Sequence, residues 1–500
     1  MPDPIPSSLP RLIQGGMGVG VSSWRLARAV ASRGHLGVVS GTAIDAVFVR
    51  RLQDGDPGGH LRRAMARFPV PAIAEDVLER HFRSGGRAVG QPYRRLPMHT
   101  HRSPQSRLDV CVLSAFVEVS LAKEGHGNPV GINLLTKVQL PNLATLYGAI
   151  LAGVDYVLMG AGIPREIPGA LDALSQGRAA SLRFDVTGAD ASHPAPLLTF
   201  DPACYGLRDE LRRPSFLAIV ASDTLATMLA RKSNSAVAGF VVEGWRAGGH
   251  NAPPRGTPTF DALGQPVYGE RDAVDLEAMR RLEQPFWLAG GTTSSKHVQD
   301  ALDAGAAGVQ VGTLFAFCHE SGMDGWLRRA VIAQVRAGTA EVRTDPRASS
   351  TGYPFKVASV PGTNSEAEAY AMRNRVCDHG YLREAYIRGD HSIGYRCAAE
   401  PVDQYVAKGG RVEDTVGRKC LCNGLLATIG LGQIQKDGST ELPLVTSGDE
   451  IDAIGKLLRD ETGDYSAADV IDYLLPSDTD PAAPGLRGHA PVERKVTQKV

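Results

Sequence analysis

The chain is short of aromatic residues, net charge, paired cysteines and long apolar runs, and each shortage excludes something. Aromatic side chains make up only 6% of the 500 residues, which argues against a sandwich built on an aromatic core. Lys plus Arg and Asp plus Glu stand at 54 each, a net charge of zero. That balance removes the simplest electrostatic argument for a nucleic-acid binder or an anionic-membrane binder. No run of 18 apolar residues offers a spanning helix. The first residues lack the basic-then-apolar order of a secretory leader. Seven cysteines, an odd number scattered along the chain, read as reduced thiols in a cytoplasmic setting. Glycine is the surplus, with 56 residues against a usual share of ~7%. Many glycines with few aromatics point to tight strand-to-helix turns.

Short apolar runs that end in glycine alternate with helical patterns over the first 320 residues, the rhythm of βα units around a parallel sheet. Eight runs read as strands: 11–15, 36–40, 130–134, 156–159, 217–221, 239–243, 286–289 and 308–311. Helical spacing follows most of them, at 23–32, 142–151, 166–174, 224–231, 276–282 and 295–303. Eight such units predict a (β/α)8 TIM barrel over residues 1–320. Residues 72–107 read as an insertion after the second unit, and 180–204 as an extended or hairpin excursion. Beyond the barrel, 321–475 read as a mainly helical extension, with helices at 326–337, 366–376 and 448–458. Residues 476–500 are rich in Pro, Ala and charge without periodicity and read as a disordered tail.

Parallel barrels gather chemistry at the carboxyl ends of their strands, and the last two units often hold a phosphate. Here those units end in Gly290-Gly291 and in Gln310-Val311-Gly312-Thr313. Glycine lets the backbone approach an anion, and exposed N–H groups supply donors. Gly291 and Gly312 are expected to leave no room for a Cβ beside that phosphate. The run FVVEGWRAGGH ends a strand at Glu243 and sets His250 behind Gly248-Gly249 at the mouth, where an imidazole suits proton transfer near neutral pH. The first strand ends in Gln14-Gly15-Gly16-Met17. The third carries Asn133, whose amide suits a heterocycle edge or a cap on the next turn.

IQGGMG, GINLL, VVEGWRAGGHN, FWLAGG and GVQVGTLFAF stand in the order and at the spacing of the nitronate monooxygenase (2-nitropropane dioxygenase-like) family, which the chain resembles over residues 10–320. The resemblance implies FMN bound without a covalent bond, and oxidation of alkyl nitronates by O2 to a carbonyl compound and nitrite, with no metal. Carried over by motif, Asn133, Gly248, Gly290, Gly291 and Gln310 to Thr313 contact FMN, Gln14, Gly15 and Met17 lie along its ring system, and His250 is the catalytic histidine. Gly16, Glu243 and Gly249 complete the expected cofactor site. For a neutral nitroalkane His250 acts as base; for a pre-formed nitronate its protonated form stabilises the anion. The sequence departs from the family at Glu243, where relatives often carry Gln, and at Gly15-Gly16-Met17, where they often read Ala-Pro-Met. The long inserts and C-terminal extension are similar to those of trans-acting enoyl reductases of polyketide and polyunsaturated fatty-acid synthases. That likeness implies NADPH and a carrier-bound enoyl thioester instead. A flavin-holding scaffold without turnover is the third reading. Neither nucleic acid nor membrane is expected as a partner, and a homodimer is compatible with the sequence.

Four cysteines fall late, Cys377, Cys397, Cys420 and Cys422. Four thiols suit zinc or an iron–sulfur cluster, but no C-x2-C pair is present, and that spacing favours ordinary buried thiols.

Overall fold

The computed structural model describes residues 9–207, 210–458 and 463–476. Eight parallel strands form one sheet: β1 Leu12–Gln14, β2 Gly37–Ser40, β3 Val130–Leu135, β4 Tyr156–Gly160, β5 Ser215–Val220, β6 Gly239–Glu243, β7 Phe286–Ala289 and β8 Gly308–Val311. Neighbours run β1-β8-β7-β6-β5-β4-β3-β2. The sheet closes through a parallel bridge between Ile13 and Leu36, where Gln14 N donates to Leu36 O at 2.9 Å and Leu36 N to Leu12 O at 3.1 Å. The expected TIM barrel is therefore formed, and each strand lies within two residues of its expected bounds.

Side chains alternate across each strand. Ile13, Leu36, Val38, Leu158, Leu217, Val241 and Trp287 share one buried cluster, the barrel interior. Their strand neighbours, such as Leu12, Val39, Phe216, Phe240 and Val309, join the larger core between sheet and helices. Trp287 donates its indole N–H to Pro10 O at 2.7 Å, which satisfies the one polar atom of a fully buried ring. Inward parity carries Asn133, Glu243 and Gln310 toward the barrel axis at the strands' carboxyl ends.

The stretch after β2 is more helical than expected. It holds helices Ile44–Gln53, His60–Met65, Pro71–His81 and Gln105–Ala122. The last is 18 residues long and packs on helices Gln139–Leu151 and Trp24–Ser32. Apolar contact on several sides erases the periodicity that would reveal it. The 180–204 excursion is an antiparallel pair, Ala180–Arg183 with Leu197–Phe200. Val186–Thr187 then pairs in parallel with Glu384–Ile387 of the C-terminal region.

Past residue 320, helices Gly325–Ala337, Leu421–Thr428 and Ala467–Leu474 are accompanied by two antiparallel pairs, Val342–Asp345 with Phe355–Ala358 and Glu384–Ile387 with Ile393–Arg396. Of the helix expected at 366–376 only Ala367–Met372 forms, and 448–458 contains a 3-10 turn over Ile451–Leu457. The tail read as disordered lies outside the described residues from 477 on. The C-terminal region folds back over the mouth: His250 bridges Phe355, and Gly448 N donates to Thr313 Oγ1 at 3.0 Å.

A buried polar knot ties these added pieces to the barrel. Asp45 accepts from the Arg107 guanidinium and from Tyr381 Oη at 2.6 Å, and pairs with His99 Nε2 at 3.1 Å. The Arg107 charge, helped by the His99 and Tyr381 hydrogen bonds, outweighs burial and holds the Asp45 carboxyl well below its usual range.

Candidate active site

A cavity of about 230 Å³ opens at the carboxyl ends of the strands. Among its lining residues are Gly15, Gly16, Met17, Asn133, Glu243, Gly248, Gly249, His250, Gly290, Gly291, Gln310, Val311, Gly312 and Thr313. Of the residues singled out in the sequence for this site, Gln14 alone does not line it. Gln14 shares its parity on β1 with Leu12, so its side chain points away from the barrel axis. There its Nε2 donates to Ser22 Oγ at 2.8 Å and its Oε1 accepts from Val38 N at 3.1 Å. Gln14 thus pins β1 to β2 and braces the glycine turn rather than facing a ligand.

The glycines are required for two different reasons. A Cβ on Gly16 would lie 2.2 Å from Asn133 Cβ, so this turn admits no side chain while Asn133 holds its place. Gly290 and Gly291 adopt φ of +89° and +86°, a region that L side chains rarely enter. Gly312 departs from expectation. Its φ is −109°, and a Cβ there would meet nothing nearer than Met17 Cγ at 3.6 Å. The protein's own atoms leave room for a side chain at 312.

Among the described residues, nothing accepts from the backbone N–H groups of Gly291, Thr292, Gly312 and Thr313. Two consecutive strand-end loops thus hold unpartnered donors against one wall of the cavity, the arrangement that binds an anion. Gln310 Oε1 is buried without a partner, an acceptor left for a ligand's N–H.

His250 Nε2 lies 2.7 Å from Ser349 Oγ, and its ring meets Phe355 edge-on at 4.9 Å between centroids. Burial, with the nearby Lys137 charge, lowers its pKa to about 3. The imidazole is neutral at physiological pH, so the protonated form expected to face an anion is not the resting state. Ser349 Oγ also lies 2.8 Å from Thr351 Oγ1, and Lys137 Nζ reaches that hydroxyl at 3.5 Å. Lys137 sits over the Tyr353 ring at 3.3 Å, and burial lowers its pKa to about 7. Glu243 faces the cavity from β6, and burial raises its carboxyl to about 7. Sequence reasoning found His250 but missed Ser349, Thr351 and Lys137. The Ser/Thr/Gly-rich run around 349–352 carries only loop signals, and its partner is 99 residues away.

The barrel and its capped mouth define a (β/α)8 protein whose last two strand loops line the cavity with unpartnered N–H groups. Within that class, residues 200–353 match the family model described as nitronate monooxygenase, so the resemblance read from the motifs is borne out over the second half of the barrel. The chain is also 33% identical over 128 residues to a nitronate monooxygenase of Pseudomonas aeruginosa, a match covering 24% of this chain. It spans about a third, 34%, of that relative's length. Similar solved structures include a nitroalkane oxidase from Streptomyces ansochromogenes (TM-score 0.43, 14% identity, 93% of this chain and 94% of that one). Others are the enoyl reductase domain of MlnA from the macrolactin cluster of Bacillus amyloliquefaciens (0.45, 11%, 93% and 94%) and FabK from Thermotoga maritima (0.39, 17%, 70% and 71%). Among the described residues no helix is long and apolar enough to cross a membrane.

Proposed function

We propose that this chain is an FMN-dependent oxidoreductase that oxidises alkyl nitronates with O2 to a carbonyl compound and nitrite. One observation carries the reading most directly: the unpartnered N–H groups of the two loops at 291–292 and 312–313 fit a phosphate, and the orphaned Gln310 carbonyl beside them fits a heterocycle N–H. Asn133, on the opposite side of the barrel, presents its amide to the same cavity. When bound, FMN supplies a two-electron acceptor that O2 re-oxidises.

The protein's part follows from His250. An imidazole whose conjugate acid ionises near pH 3 is a poor base toward a nitroalkane C–H. His250 Nε2 pairs with Ser349 Oγ; in the tautomer where the hydroxyl donates to Nε2, neutral His250 carries its proton on Nδ1 and has that N–H to offer an anionic oxygen. Neutral imidazole as an electrophilic donor is an established catalytic role. The reading therefore favours the pre-formed nitronate over the nitroalkane. The C-terminal residues Phe355, Leu421, Leu425 and Ser447 line the cavity from above and limit water around the reacting atoms.

The test is anaerobic mixing of the FMN-loaded chain with an alkyl nitronate and, separately, with NADPH. Bleaching of the flavin by nitronate alone supports the proposal. Bleaching by NADPH, with colour restored by an enoyl thioester, replaces it with the enoyl reductase reading. A flavin that neither reagent reduces leaves a binding protein without turnover.

A further inference from the structure

Cys377 lies in the loop after helix Ala367–Met372, Cys397 directly follows the strand Ile393–Arg396, and Cys420 and Cys422 open the helix Leu421–Thr428. Far apart in sequence, all four line one small enclosed cavity of about 10 Å³. The other three cysteines are elsewhere: Cys111 belongs to the Asp45 knot, Cys318 to the barrel-side core, and Cys204 is exposed. Nothing in the proposed flavin reaction uses the four converging thiols.

From the convergence of these side chains on one cavity we propose that Cys377, Cys397, Cys420 and Cys422 ligate an iron–sulfur cluster. Four cysteine thiolates are the usual ligand set of such clusters. Charges of both signs surround the thiols: Arg383 acts on Cys377 and Cys397 and Arg373 on Cys420, against Glu400 at the first two and Glu441 at the last. Backbone N–H groups of Ala399, Asn423 and Leu382 are directed at the sulfurs of Cys397, Cys420 and Cys422, and the Ser350 hydroxyl also reaches Cys397. Hydrogen bonds to sulfur are one means by which proteins set cluster potentials.

Spacing separates a cluster from a single zinc ion. Zinc holds four sulfurs at ~2.3 Å in a tetrahedron, which places them ~3.8 Å from one another. Among the described residues, the group of three or more such side chains with all ligand atoms within 4.8 Å is Asp45, His99 and Cys111. The four thiols are therefore spread more widely than zinc requires. In the Asp45 group, Arg107 already supplies the cation. A cluster interposes iron and sulfide between its cysteines and so accepts wider sulfurs. Assembly replaces four S–H bonds with four S–Fe bonds and releases four protons; ferrous and ferric iron and sulfide supplied from solution give the mixed-valence core with no further oxidant. Leu382, Leu421 and Cys422 line both this cavity and the barrel mouth, so the cluster would share a wall with the proposed flavin site.

The test uses the full chain purified anaerobically and reconstituted with ferrous and ferric iron and sulfide. Expected are iron and acid-labile sulfide in equal amounts, broad absorbance near 400 nm beneath the flavin bands, and a paramagnetic signal after dithionite. Cys377→Ser and Cys422→Ser should lose iron and sulfide together, whereas Cys204→Ser should keep both. FMN released by acid is counted separately, so failure of the flavin reading would leave this result intact. A reconstituted parent without iron and sulfide, or one holding stoichiometric zinc without sulfide, overturns the proposal, and this holds even where the serine variants fail to fold. Full iron and sulfide in both serine variants would overturn the ligand assignment.

Discussion

Replacing Gly312 with valine isolates the proposed phosphate contact from the folding of the chain. At φ −109° the backbone accepts an L side chain, and the nearest protein atom to a new Cβ is the flexible Met17 side chain at 3.6 Å. The cofactor-free variant should thus keep its stability within ~0.5 kcal/mol of the parent. Gly291 is the contrasting case. Its φ of +86° makes valine cost about 1–3 kcal/mol before any ligand binds. If an anion rests on the N–H groups of both loops, the 312 side chain occupies its place. FMN affinity should then fall on the order of 10²-fold, equivalent to about 2.7 kcal/mol. With FMN at one hundred times the parent's Kd, binding stabilises the parent by about 2.7 kcal/mol, and the variant by only about 0.4 kcal/mol. Fluorescence titration of stripped protein gives Kd, and melting with and without FMN gives the linked stability. A Gly312→Val protein that folds like the parent and binds FMN with the parent's Kd would refute the placement of the phosphate.

His250→Ala should retain FMN but lower kcat/KM on nitronate by ~10²-fold, the scale of losing a hydrogen bond to a charged group, and Ser349→Ala should lower it less. Because His250 ionises near pH 3, the kcat/KM profile should show no histidine limb between pH 5 and 7; a His250-dependent bend near 6.5 would contradict the neutral assignment. Glu243 is raised from 4.5 to about 7, so the folded state favours its proton: that stabilisation is complete below pH 4.5 and is lost as pH rises through 7. Urea melts of the cofactor-free chain should show up to about 3 kcal/mol of such loss, and Glu243→Gln should abolish it. Arg107→Leu leaves Asp45 buried without its cation and should cost about 3–5 kcal/mol in the same melts; a change below 1 kcal/mol would mean that the knot adds little.

The barrel strands were legible because each is a short apolar run closed by glycine or a polar residue, and parallel strands buried on both faces need no alternation to be seen. The ligand-facing residues followed from strand ends, since inward parity at the carboxyl end is a local property. Gln14 shows the limit of motif reading: the glycines after it mark the turn, but its parity with Leu12 sends it outward, a distinction present in the sequence and overridden by the motif. Other features are not local. Helix Gln105–Ala122 lacks a polar stripe because several elements cover it. The cysteines lack a metal-like spacing because distinct loops and one helix bring them together. His250 is placed by the loop after its own strand, but its protonation state is set by burial and by Lys137.

That dependence bears on the boundary expected near residue 320. The C-terminal region shares polar and apolar contacts with the barrel loops: Tyr465 Oη donates to Leu314 O at 2.7 Å, His319 N to Tyr465 O at 2.8 Å, and Gly249 N to Thr446 Oγ1 at 2.9 Å. Val445, Ile454, Val470 and Leu474 are buried in the same core as Leu26, Phe315 and Phe317. Removing 321–500 uncovers that apolar surface, at about 25 cal/mol per Å² exposed, and leaves the glycine loops without their braces. We therefore expect residues 1–320 expressed alone to lack a cooperative melt and to bind no FMN, and co-expressed 321–500 to restore both. The contrary result would be a soluble 1–320 fragment that melts cooperatively and binds FMN with the parent's affinity. The barrel would then be an independent domain and the C-terminal region an accessory, and the neutral state of His250 would have to come from the barrel alone.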